Sequence, residues 1–138
     1  VITLHTDLRA ALRTILLAVA GLPSGRAWEG VAFTPTPNQA WLRESLRPIS
    51  SIPKALGVGG TIEHTLTYNI SLFYPAGGGT LTIEQMAGAI VQAMMPGTSL
   101  VYGTTKGTIL RSERSPLVIE PQWISVPLAV TANAYTSR

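Results

Sequence analysis

The sequence predicts an α+β fold in two layers, one mainly antiparallel sheet with two amphipathic helices packed on one of its faces. Three observations predict it. Residues 61–74 alternate strictly between apolar and polar side chains. Two other stretches, 3–21 and 82–95, repeat apolar residues at helical spacing. The order of elements is helix, three strands, helix and further strands, so two helices can cover one face of a single sheet. A chain of 138 residues has the length of one domain, and a single domain over 1–138 is expected.

In the first helix Leu8, Leu12, Ile15, Leu16 and Val19 share a face. Thr3 or Thr6 can cap its start, and Gly21 with Pro23 ends it. His5, Arg9 and Arg13 recur every four residues on the opposite face, which is expected to be solvated or to meet an anionic partner. Residues 28–33 read as a short strand, followed by the proline-built turn TPTPNQ at 34–39. From 41 to 48, Leu42, Glu44 and Leu46 share one parity, and Trp41, Arg43, Ser45 and Arg47 the other. That is a strand exposed on its arginine side. The stretch ISSIPKALGVGG, 49–60, reads as a long loop. Its apolar Ile52, Leu56 and Val58 make it a candidate arm against a partner.

The clearest strand follows. Ile62, His64, Leu66, Tyr68, Ile70 and Leu72 fall on one face, and Glu63, Thr65, Thr67, Asn69 and Ser71 on the other. The second face is polar but nearly uncharged, which suits a water-filled lumen or a hydrated contact between subunits. In FYPAGGGTL, 73–81, Pro75 ends the strand, and Gly77, Gly78 and Gly79 reverse the chain into a helix because glycine tolerates φ > 0. That helix carries Ile83, Met86, Ala87, Ile90, Val91 and Met94 as its apolar stripe. Thr82 and Gln85 form a capping-box pattern, and Pro96-Gly97 stops it. Two strands follow at 100–102 and 107–111 around a Gly-Thr-Thr-Lys turn, then a short one at 117–119. The last strand, 123–134, turns Ile124, Val126, Leu128, Val130 and Ala132 inward. Pro127 on its other parity favours an edge or bulged position.

Composition narrows the function. Charged residues are 12% of the chain, about half the usual ~25%, which points to a surface that meets other protein. The ten basic residues are spread without a run, unlike those of a dedicated nucleic-acid binder. There is no cysteine, hence no disulfide framework and no thiolate metal site. No apolar run approaches the ~20 residues of a membrane span. The glycine loop lacks the Lys and Ser/Thr that a phosphate loop needs after its last glycine, and it is not G-x-G-x-x-G. A helix N-terminus there could still attract an anion. The two histidines, His5 and His64, lie in separate elements, and His64 reads as a hydrogen-bonded core residue. The seven acids are isolated from one another, and there is no nucleophile elbow. Neither catalysis nor a cofactor is expected.

One resemblance extends over nearly the whole chain. A helix ending in Leu22-Pro23 precedes the residues around Trp28 and Phe33, a proline-rich turn and Trp41-Leu42-Arg43. A long strand closes on Phe73-Tyr74-Pro75-Ala76-Gly77, and the end reads Trp123-Ile124-Ser125-Val126-Pro127. This pattern resembles the tail-terminator proteins of long-tailed bacteriophages, including a phage domain long classed as of unknown function. The resemblance implies a structural virion protein: a six-fold ring at the head-proximal end of the tail tube that stops tube growth and offers a surface to the neck. Its implied partners are further copies of itself, the tail tube protein, a neck or head-completion protein, and double-stranded DNA in transit. No membrane is involved, and the place is the virion tail after assembly in the host cytoplasm. On that reading Arg43, Arg47, Ile52, Lys54, Leu56 and Val58 are candidate subunit or tube contacts. Glu63, Thr65, Thr67, Asn69 and Ser71 face the lumen or a subunit. The alternatives are another neck or tail-completion protein, or a small-ligand or nucleotide-binding domain using the loop from Gly77 to Gly79.

Overall fold

The computed structural model describes residues 3–55, 57 and 59–137. Leu56 and Val58 lie outside the described residues. Two helices, α1 (Leu4–Leu17) and α2 (Leu81–Ala93), accompany β1 (Gly25–Ala27), β2 (Trp41–Pro53), β3 (Thr61–Pro75), β4 (Ser99–Tyr102), β5 (Thr105–Arg114), β6 (Val118–Ile119) and β7 (Trp123–Ser137). The strands form one mixed sheet in the order β1-β2-β3-β7-β5-β4, with β6 also on β7. β1 runs parallel to β2, and the other pairings are antiparallel. The class is the expected α+β.

β3 is the spine. It pairs with β2 from Phe73↔Trp41 to Ile62↔Pro53 and with β7 from Thr61↔Ser137 to Pro75↔Trp123. Its alternation buries Leu66, Tyr68, Ile70 and Leu72. Leu42 and Leu46 of β2, Val126, Leu128, Val130 and Ala132 of β7, and Ile109 of β5 join them in one core. The helical stripes close that core: Leu4, Leu8, Ala11, Leu12 and Leu16 from α1, and Ile83, Met86, Ala87 and Ile90 from α2.

Several expectations change. Residues 28–33 are not a strand. Gly30 takes φ 83 in a turn closed by Val31 N–H to Trp28 O, and Trp28 is drawn under the Arg13 guanidinium, 4.8 Å from its ring. The long loop at 49–60 shortens to 54–60, because β2 continues to Pro53 against β3. Pro48 and Pro53 are tolerated there since β1 covers only Trp41 to Arg43, leaving the rest of β2 an edge, and the register shifts between Pro48 and Ser50. The capping box at Thr82 is not used: Thr80 is the N-cap of α2, so Thr82 lies inside the first turn. Pro127 sits in an internal strand between β3 and β5, not at an edge. On the β5 side β5 ends at Arg114, opposite Leu128, and β6 starts at Val118, opposite Ser125, so the missing N–H falls in that gap. There the Pro127 carbonyl accepts from Ser115 N–H instead.

Two glycines give opposite predictions. Gly88 lies inside α2 with open space where a Cβ would stand. Gly88→Ala is therefore expected to stabilise by about 1 kcal/mol through helix propensity. A Cβ at Gly107 would stand 2.8 Å from the Asn133 carbonyl and 3.0 Å from Leu8 Cδ2. Gly107→Ala is expected to destabilise by roughly 1–3 kcal/mol by overpacking. Thermal unfolding of both variants checks the pair.

Candidate assembly surface

The side of the sheet opposite the core presents rows of polar side chains, and the registers set which residues share a row. Arg47, Thr67, Thr131 and Arg111 form one row across β2, β3, β7 and β5. Ser45, Asn69, Ala129 and Glu113 form the next, and Arg43, Ser71 and Pro127 the one after. Thr65, Thr67, Asn69 and Ser71 thus line the middle of this face, half-buried, while Arg43 and Arg47 are exposed beside them as strand parity requires. Arg43 lies over the Phe73 ring at 5.4 Å, and Arg111 pairs with Glu113 at 2.7 Å.

At the hairpin end, Glu63 is tied into its own sheet. Its carboxylate accepts from Asn133 Nδ2 at 2.9 Å and Tyr135 OH at 3.0 Å and pairs with Lys54 at 3.2 Å. Asn133, then Tyr135 and Lys54, hold its pKa below the ordinary carboxylate value. Lys54 therefore braces the 54–60 turn against β3, while Ile52 is exposed. His64, next along β3, bridges three strands through Ser51 Oγ at 2.7 Å and Thr136 Oγ1 at 2.8 Å. Burial first, then the nearby His5, push its pKa below the ordinary histidine value. The expected hydrogen bonds are present, but His64 is only half-buried and lies outside the core that it was expected to join.

The stripe of Arg9 and Arg13 is turned into the fold and only partly solvated. Both arginines turn toward β2, where Glu44 is 1% exposed on the core parity. Arg13 Nη2 lies 2.6 Å from Glu44 Oε1, and Arg9 lies 2.6 Å from Glu29. Glu29 N–H donates to Glu44 at 3.0 Å, and the Glu29 carboxylate accepts from Leu46 N–H at 3.1 Å on the β2 edge that β1 leaves open. Burial pushes the Glu44 pKa up, but the Arg13 guanidinium and the Glu29 amide outweigh it and hold it below the ordinary value. The Tyr68 hydroxyl is buried nearby without a hydrogen bond of normal geometry. Burial and the Glu44 carboxylate raise its pKa far above that of a free phenol. Sequence reading missed this network, although Glu44 between two inward leucines and two arginines four residues apart carried the signal.

The opposite end of β3 is aromatic. Trp41 stacks on Phe73 at 4.0 Å, with Phe33 at 5.4 Å and Trp123 at 6.1 Å from it. A groove of about 490 Å³ opens beside this cluster, lined by Pro35, Pro37, Asn38, Ala76, Pro121, Gln122 and Trp123. Gly77 and Gly79 take φ 92 and 79 between β3 and α2, and Gly78 lies between them. The first turn of α2 already carries Glu84, paired with Arg114 at 3.0 Å. A carboxylate there takes up the positive helix end that an anion would use. Among the described residues no group of three or more His, Asp or Glu could hold a metal. No described helix is long and apolar enough to cross a membrane.

Residues 4–131 match the family model described as phage tail terminator protein. No curated protein matches the chain. The fold recurs in a solved protein at 17% identity, with a TM-score of 0.71 over 94% of each chain. It also recurs in a chain from the virion of a native gene transfer agent particle, at 22% identity and a TM-score of 0.64, covering 96% of this chain and 98% of that one.

Proposed function

The chain belongs to the phage tail terminator family, and from that premise we propose that it forms a six-fold ring on the head-proximal end of the tail tube, stopping tube growth and joining tail to neck. A phage tail structural role follows from the family itself. The observation that supports the ring is the sheet face opposite the core that α1 and α2 close, with Thr65, Thr67, Asn69 and Ser71 along its centre. A surface with hydroxyls and amides at its centre, and with Arg43, Arg47 and Arg111 kept to its flanking strands, the last paired with Glu113, holds water and grips DNA weakly, as a conduit for double-stranded DNA requires. Low overall charge suits a subunit that hides two different patches against its neighbours. Arg43, Arg47 and Ile52 are exposed and serve as contacts to the next subunit or to the tube, and Lys54 holds their hairpin in place. The work is structural rather than catalytic, in the virion tail.

Electron microscopy of tails carrying a gold-labelled chain tests this. Label at the head-proximal tip alone is the expected result. Label along the tube, or on the head side of the neck, would favour another tail or neck component. Arg43→Glu with Arg47→Glu is expected to lower tip occupancy at least tenfold while leaving the melting temperature unchanged, because both side chains are exposed.

A further inference from the structure

The two sides of the sheet differ in how their edges are protected. Unpaired edge strands attract other chains, and proteins blunt them with short strands, prolines, bulges or charged side chains. The β2 side has most of these devices. β1 is three residues long, Leu46 N–H is taken by Glu29, Pro48 and Pro53 remove donors, and the register shifts after Pro48. β6 has only two residues. β4 is short as well but has none of the other devices. Its four residues, Ser99-Leu100-Val101-Tyr102, contain no proline and no charge, and they pair with β5 without a register shift. Val101 is 58% exposed and Tyr102 51%.

The direction of its backbone groups follows from the ladder. Ile109 N–H donates to Thr98 O at 2.9 Å. Antiparallel residues alternate between facing the paired strand and facing away. Leu100 and Tyr102 therefore bond to β5, and Ser99 and Val101 present their N–H and C=O groups to the open side.

Among the described residues, an exposed stretch of matching length lies outside the sheet. Residues 31–34, Val-Ala-Phe-Thr, are all exposed and belong to no strand. Pro35 and Pro37 limit any ladder to those four residues. The stretch lies on the β1–β2 side, where Phe33 rests 5.4 Å from Trp41, across the sheet from β4. We infer that residues 31–34 of one copy add as a strand to the β4 edge of the next. The contact is head-to-tail, joins two different surfaces and closes by rotation, so the inference rests on the ring reading and supplies its lateral bond.

Val101→Pro tests it. The substitution removes an outward N–H and spares the β4–β5 ladder, whereas Val101→Ala keeps the N–H. Light scattering of the free proteins and gold labelling of assembled tails are read together, with thermal unfolding as the fold control. The expected result is that Val101→Ala assembles as wild type does, while Val101→Pro melts as wild type does but falls to the mass of one chain and leaves the tail tip. In the cysteine-free chain, Ala32→Cys combined with Val101→Cys should oxidise to a ladder of linked copies ending in a closed ring, and either cysteine alone should give at most dimers. A Val101→Pro protein that still occupies the tip, or a double-cysteine protein without a ladder on occupied tips, overturns the edge pairing and leaves the ring reading standing. A wild-type chain that never reaches the tip overturns both.

Discussion

Arg13→Met is expected to destabilise the protein by about 2–4 kcal/mol, because it strands the Glu44 carboxylate in the core; the usual cost of breaking a buried pair is reduced since Arg13 itself is partly solvated. Glu44 is inaccessible and its strongest hydrogen-bond partner is that guanidinium. Replacing Glu44 instead should cost less, because Arg13 keeps 32% of its side chain exposed and can turn to water. Arg13→Met combined with Glu44→Leu should recover most of the loss, since an apolar pair of similar volume has no charge to desolvate.

The pH dependence has a definite sign. The folded-state pKa of Glu44 lies below its ordinary value. Its contribution is complete above the unfolded carboxylate pKa of about 4.3 and is lost as pH falls through the folded value. Wild type should thus weaken in acid below about pH 4.3. In Arg13→Met, burial then dominates at Glu44, and protonation relieves it. The gap between wild type and variant should narrow as pH falls. Urea unfolding at pH 7 and at pH values stepped below about 4.3 measures both trends, and a gap that widens in acid would contradict this assignment of the pair.

Ile70→Ala should cost about 2–5 kcal/mol, the range for truncating a fully buried branched side chain. Ile70 stands between Glu44 of β2 and Leu128 of β7 with no accessible surface. Thr67→Ala, three residues earlier on the polar face, should change stability by less than about 0.5 kcal/mol. Equal losses would mean that both faces of β3 are structural core, and the polar face could not then be offered to DNA or to a neighbour. Denaturant midpoints at constant slope decide between the two cases.

How legible these features were in the sequence depends on whether a signal is local. β3 could be read because period two held over its whole length, and α2 because its apolar stripe repeats for three turns. The outward turn of Arg43 and Arg47 followed from parity alone. β1 could not be read: Gly25-Arg26-Ala27 has no apolar pattern, and those residues are a strand only because β2 lies alongside. The prolines of β2 masked its continuation to Pro53, since their tolerance depends on an edge that only the fold defines. The direction of Arg9 and Arg13 was equally hidden. A cationic stripe on a helix reads as surface until a carboxylate 31 positions away from Arg13 is packed beneath it. Within the candidate surface, Lys54 read as a free anchor because its partner Glu63 lies across a turn. The wider architecture survives at 17% and 22% identity in other proteins, as expected when burial pattern and register, rather than particular side chains, define a sheet.

The most direct measurement is the length of tail tubes grown from purified tube protein with and without this chain. Addition part-way through growth should halt elongation at once, leaving a narrow length distribution and one blunt, capped end on each tube. Tubes that lengthen at an unchanged rate beside an excess of the folded chain would contradict the account.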